Sequence, residues 1–425
     1  MELFKNIKTL DFFRFVVIGL LLFSNAVYQN TIHQLLYYEI VSAIFIITVV
    51  YVLIKTLTPG KFMRVRFSRK FLIWILLLFS FYTLHYFLAP QNKEISVYSM
   101  LSQCVIVLCI ILWLCDLEYK GAFDIFVFSA SIASVIASLY YVYYSIGDVL
   151  LLNMRLGIVT DNVLSNINYT SQIVLMISSL SLYKIFFEKT HNKLYIIIFI
   201  IQFLFILLSG TKRAIISLPV FYIVFILIKN RRSFFRYILP LTIGLGLFVY
   251  ILLNNELLYN IAGERLEGMF YALGIVQDNK FDIGDNSTHI RKQLFNTAIE
   301  MVPETPIWGR GLGYFETHSG LNTHVQIFHS HNNYLELYLC YGLIGFLMYY
   351  SIFFRTTIRL FRKKKKSAMV YLFLAFFLVL YVIIEPSSVT FYTLPIYYLY
   401  LYFAYLYSWK RDSNTPDLDM PVRKN

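Results

Sequence analysis

Long runs of Leu, Ile, Phe, Val and Tyr recur along this chain with almost no charge inside them, and short polar segments separate them. A span of roughly 20 mostly apolar residues covers about 30 Å of hydrocarbon. Windows of that length pick out 10–28, 34–54, 71–89, 95–115, 121–146, 168–187, 194–209, 214–229, 234–253, 332–354, 367–385 and 389–408. Apolar residues do not alternate with polar ones as barrel strands require, and helices satisfy their own backbone in lipid. The pattern predicts an all-α integral membrane protein of about 12 transmembrane helices.

Composition agrees: 58% of residues are hydrophobic and only 14% charged, with a mean hydropathy of +0.64. A soluble globule cannot hide that much apolar surface. The first apolar run is followed by Asn25-Ala26-Val27-Tyr28-Gln29-Asn30 and a second span, so it reads as a retained helix, not a cleaved signal. Cys104, Cys109, Cys115 and Cys340 all fall in apolar stretches and read as small buried hydrophobes.

The net charge of +13 would suit a nucleic-acid binder if it were clustered. Topology explains it instead. With a cytoplasmic amino terminus, most of the 37 Lys and Arg fall in inner segments, as the positive-inside rule requires. Lys93, Arg155, Lys212, Arg213, Arg265, Lys280, Arg291, Lys292 and Arg310 are left outside. Both termini then face the cytoplasm. Residues 1–409 form the membrane domain, and 410–425, polar and bearing Pro416 and Pro421, form a disordered tail.

One extracytoplasmic connection, 254–331, is much longer than the rest, and functional residues concentrate in such loops. Thr288 to Val302 within it has the spacing of an amphipathic helix, with Ile290, Leu294, Ala298 and Met301 on one stripe and Pro303 at its end. Asp285-Asn286-Ser287 supplies a cap, and the stripe suits a helix lying on the membrane surface.

Lys212 and Arg213 sit in a short outer turn, Ser209-Gly210-Thr211, with no acidic neighbour there, where the next helix begins. Helix N–H groups and the positive end of the dipole add to their field, and the Arg fork suits phosphate. The pair either reaches lipid phosphates or holds a substrate phosphate. His331-Asn332 marks the re-entry of the long loop into the membrane. That imidazole can take a proton from a hydroxyl, or it can simply cap or hydrogen-bond. Glu336 follows one turn after Asn332 and could add a second polar group to the site or pair with an Arg. His318, His324 and His329 would permit a metal only with a further ligand at a familiar spacing, and none is evident, so no metal or cofactor is expected.

Several segments together resemble the O-antigen ligase and polymerase family of bacterial envelope enzymes. They are Arg155-Leu156-Gly157 with Asn166-Ile167-Asn168, Ser209 to Ala214, Asp285-Asn286-Ser287 with Arg291, Trp308 to Phe315, and His331 to Leu335 followed by Gly342-Leu343-Ile344-Gly345. The resemblance covers roughly 150–350. It implies a metal-independent glycosyltransferase of the GT-C type, in the bacterial cytoplasmic membrane with its site facing outward. Donor and acceptor would be undecaprenyl-diphosphate-linked glycans, amid membrane lipid. Arg213 and Arg291 would hold the diphosphate and His331 would be catalytic. Lys212, Arg155, Arg310, Asn332, Glu336 and Asn168 would complete substrate binding. The family often has Glu two residues before Gly342, where this chain has Cys340; either Glu336, one turn earlier, takes that acid's role or the role goes unfilled. Repeat-unit polymerase is the preferred activity, with a chain-length regulator as a compatible partner. Ligase is the alternative, and a lipid-linked glycan flippase a third.

Overall fold

The computed structural model describes residues 9–28, 34–57, 69–88, 97–152, 156, 167–188, 192–229, 234–264, 266–267, 286–320, 329–363, 369–385, 391 and 395–409. Among these every regular element is helical. Nine helices precede the long connection: α1 Thr9–Tyr28, α2 Gln34–Leu57, α3 Arg69–Leu88, α4 Val97–Leu114, α5 Tyr119–Leu152, α6 Ile167–Phe187, α7 Asn192–Leu208, α8 Lys212–Lys229 and α9 Phe234–Asn254. Within the connection lie a short helical segment, Glu256–Gly263, directly after α9, then α10 Asn286–Met301 and the single turn α11 Tyr314–His318. Then follow α12 Asn333–Arg362, α13 Met369–Ile384 and α14 Pro395–Trp409.

A helix therefore stands at each of the twelve apolar stretches. Among the described residues, six helices are long and apolar enough to cross a membrane, or seven if the pair bent by 92° at Asn255 is one span. α5 and α12 outrun the predicted stretches. α12 continues to Arg362, so Arg355 and Arg359, expected in a loop, lie on helix.

Two helices form the centre. In α6 the run Tyr169–Lys184 is buried throughout, and α14 is buried from Pro395 to Ser408. Lipid tails offer no hydrophobic drive between helices, so close packing and hydrogen bonds must join them. Ala130, Ala133, Ser134, Ala137 and Ser138 give α5 a small-residue face, all buried, which α1, α6 and α7 approach. Gln202 donates to Ser134 Oγ at 2.7 Å across that face. The tyrosines of α14 bring a hydroxyl into a dry interior, which needs a partner. Tyr400 finds the Met176 carbonyl at 2.6 Å and Tyr398 the Phe391 carbonyl at 2.6 Å. The four cysteines are free and buried, as their apolar context suggested.

The end of the bundle where α1 starts carries matched charges. Arg14 is buried and grips both oxygens of Asp116 at 2.6 Å, with Asp11 at 2.5 Å and Lys55 also on Asp116. Lys184 bridges Asp124 at 2.5 Å and Glu188 at 2.7 Å. Arg359 stacks over the Trp409 ring 3.7 Å away.

α12 is not one straight rod. Gly342 has φ 63° and ψ −166°, which breaks the helix one-third of the way along. The carbonyls of Leu339 and Cys340 lose their helical donors there, and loop 306–311 replaces them. Arg310 N–H donates to Leu339 O and Gly311 N–H to Cys340 O, both at 2.9 Å, while Ile344 N–H reaches Ile307 O at 3.2 Å. A Cβ on Gly342 would overlap the Ile307 carbonyl, and one on Gly309 would overlap Cys340. Glycine is required at both because of close backbone approach as much as positive φ. This seam joins the segments Trp308 to Gly313 and Gly342 to Gly345.

Candidate functional site

The turn between α7 and α8 is held against the start of α6. Thr211 Oγ1 donates to Asn168 Oδ1 at 3.3 Å and pairs with Ser171 Oγ at 2.8 Å, while Leu156 N–H bonds the Leu208 carbonyl at 3.1 Å. Lys212 and Arg213 then occupy the first two positions of α8, whose first turn holds no acid. Cations at a helix N-terminus oppose its dipole and cost roughly 0.3–1 kcal/mol each. A helix N-terminus bearing two cations is a favourable place for an anion.

Arg213 is aimed by a chain of neutral groups. One terminal N–H donates to Gln172 Oε1 at 3.1 Å, and the Gln172 amide donates to the Tyr397 hydroxyl at 2.6 Å. α6 and α14, the two central helices, thus fix the direction of the guanidinium.

α10 brings in the second arginine. Leu294 and Ala298 are fully buried against Tyr314, Phe315 and Leu339, with Ile290, Met301 and Leu335 alongside. The amphipathic stripe is the predicted one, but it packs on α11 and α12 instead of lying on lipid. Arg291, one residue after Ile290, is exposed on this helix. It lies within electrostatic reach of both Arg213 and His331.

His331 has φ 52° and is the one non-glycine residue with positive φ among the described residues. Such a conformation costs on the order of 1 kcal/mol or more and persists only where the surroundings enforce it. Here they do so on both sides. Asn332 caps α12, its Oδ1 accepting N–H bonds from Tyr334 at 3.0 Å and Leu335 at 3.2 Å. Asn333 is locked by Glu385 and Tyr350, each 2.9 Å from its amide nitrogen, and accepts the Phe391 N–H at 3.0 Å. On the other side Glu336 accepts the Ser330 N–H at 2.9 Å.

Burial, followed by the positive charges of Arg291, His329 and Arg213, pushes the His331 imidazole down to about 4. It is neutral at physiological pH, with a free electron pair beside two cations. His329 is displaced the other way. Its surroundings disfavour charge, but the Glu316 carboxylate against its Nδ1, and Glu336 beyond, raise it.

The structure thus unites His331, Arg213 and Arg291, with Asn332 as a cap, Asn168 as a support of the α8 turn and Lys212 next to Arg213. Arg155 lies outside the described residues, as do Asp285 and His324. Arg310 turns to the Glu304 carbonyl at 2.5 Å and over the Tyr314 ring. Glu336 is buried behind the turn, with Cys340 Sγ donating to it at 3.8 Å, so one carboxylate reaches the position where the expected acid is missing. Glu385 lies with Asn333, Tyr349 and Tyr350, and His85 against Phe81 and Tyr341. Gln172, Glu316 and His329 as an acid's partner were missed. Only the spacing Gln172-to-Asn168, one helical turn, hinted that Gln172 shares the face of the α8 turn.

Residues 197–350 match the family model described as O-antigen ligase. Over that segment, about a third of the chain, the sequence is similar to the O-antigen ligase family. The matched segment holds Lys212, Arg213, Arg291, Arg310, His331, Asn332 and Glu336, so the resemblance read from the motifs stands over these residues. Asn168 and Gln172 lie before the segment and reach it only through the fold. No curated protein matches the chain.

Proposed function

We propose that the chain is a metal-independent glycosyltransferase that joins undecaprenyl-diphosphate-linked oligosaccharide units into a surface polysaccharide at the outer face of the bacterial cytoplasmic membrane. The observation that carries this reading is the meeting of Arg213, Arg291 and a strained, neutral His331 at one end of the helix bundle. An acceptor sugar hydroxyl attacks the anomeric carbon of the donor. The bond from that carbon to the diphosphate oxygen breaks, and undecaprenyl diphosphate departs with the electron pair. The two guanidinium groups and the α8 N-terminus stabilise the charge that develops on the leaving oxygens, a contribution of about 3–4 kcal/mol per well-placed donor. His331 accepts the hydroxyl proton.

The same cations that hold the diphosphate depress His331. A bound diphosphate offsets them, so the imidazole gains basicity only once the donor is seated.

Repeat-unit polymerisation is the preferred reaction, and the family description favours ligation as the second reading. Deleting the gene in its host separates them. Single repeat units on the final acceptor identify the polymerase; full-length polymer left on the lipid carrier identifies the ligase. Movement of donor across vesicles by purified protein, without glycan joining, would overturn both in favour of a flippase.

A further inference from the structure

The left-handed His331 is clamped from its amino-terminal side by charged groups that the reaction itself does not use. Glu316 and Glu336 are both 1% exposed, on α11 and the first turn of α12. Buried carboxylates on two different elements are costly unless a cation lies between them. His329 is that group: its Nδ1 contacts Glu316 Oε1, and Glu336 lies within electrostatic reach of both. Glu336 also accepts the N–H of Ser330, whose hydroxyl donates to the Asn332 carbonyl at 3.1 Å. Residues 329, 330 and 332 are therefore each tied down, and 331 takes the conformation left to it.

Resting on the reading above, we propose that Glu316, His329 and Glu336 form one positioning unit, a carboxylate–imidazolium–carboxylate bridge that holds His331 in its left-handed conformation beside the arginines. None of the three touches the reacting atoms; they act through the turn. Such a bridge stands or falls with the proton on His329. Burial works against it, and Glu316 from α11 and Glu336 from α12 favour it; His331 is the site group coupled to it, and Arg291 and Arg213 act on His331. The two acids outweigh burial and raise His329. The bridge is therefore complete below that raised value and is lost as pH rises through it, so transfer falls on the alkaline side.

The test measures glycan joining against pH in vesicles, together with the titration of His329 by NMR of histidine-labelled protein, assigned with His329→Gln. Glu316→Gln keeps the shape and removes the charge. The bridge predicts that His329 titrates above its ordinary value in the native chain and falls in Glu316→Gln. The alkaline limb of turnover moves down with it, and kcat drops at high pH while KM for the donor holds. Glu336→Gln, which still offers an oxygen to Ser330, shifts both readouts in the same direction by less. His329→Gln removes the limb. A His329 that titrates at or below its ordinary value, or a Glu316→Gln protein with the native titration and native limb, overturns the bridge. Native protein with the expected titration but no glycan joining would sink the functional reading and leave the bridge standing.

Discussion

The two ends of the helix bundle treat buried cations in opposite ways. At the end where α1 starts, Arg14 meets Asp116 and Asp11, and Lys184 meets Asp124 and Glu188. At the other end Arg213 hydrogen-bonds a neutral amide and lies near a second arginine, at a helix terminus that repels it. The first arrangement pairs each cation with carboxylates of the chain itself. In the second, on the function proposed above, the substrate diphosphate supplies the counter-charge.

Substitutions can break this contrast. His331→Ala should lower glycan joining by about 10²–10⁴-fold with normal insertion, measured as chain length in cells and as rate in vesicles. Native polymer in that strain would remove the histidine from the chemistry. Arg14→Gln should cost about 3 kcal/mol of stability by leaving Asp116 without its bidentate partner, seen as a lower Tm in detergent with donor KM unchanged. Loss of donor affinity without loss of stability would show that the two ends are not distinct. Arg213→Lys keeps the charge and loses the fork, and should lower kcat/KM about 30-fold with Tm unaffected. Gln172→Leu frees Arg213 from its support and should raise donor KM about fivefold, on the order of 1 kcal/mol.

The sequence exposed what depends on local pattern. Apolar runs located the helices, and Lys212 and Arg213 were visible because they break the charge rule of their side. The stripe Ile290, Leu294, Ala298, Met301 was legible from spacing; its partners Phe315 and Leu339 were not, since an apolar face fits lipid and protein alike. The break at Gly342 was hidden inside a continuous apolar run, because it is set by loop 306–311 from elsewhere in the chain. Gln172 and Glu316 escaped notice for the same reason: each acquires its role from a residue distant in sequence or on another element. Glu336 could be placed on the right face but not at the right depth.

His331 itself offers the sharpest test of a shared anion site. Histidine-labelled protein should show this imidazole titrating near 4 when free and clearly higher once a polyprenyl diphosphate, or inorganic pyrophosphate, is added. The rise should be lost in Arg213→Gln, where the resting value already lies higher. An imidazole that titrates near 6.5 in the free protein and does not respond to diphosphate would show that the arginines and the histidine do not share one site.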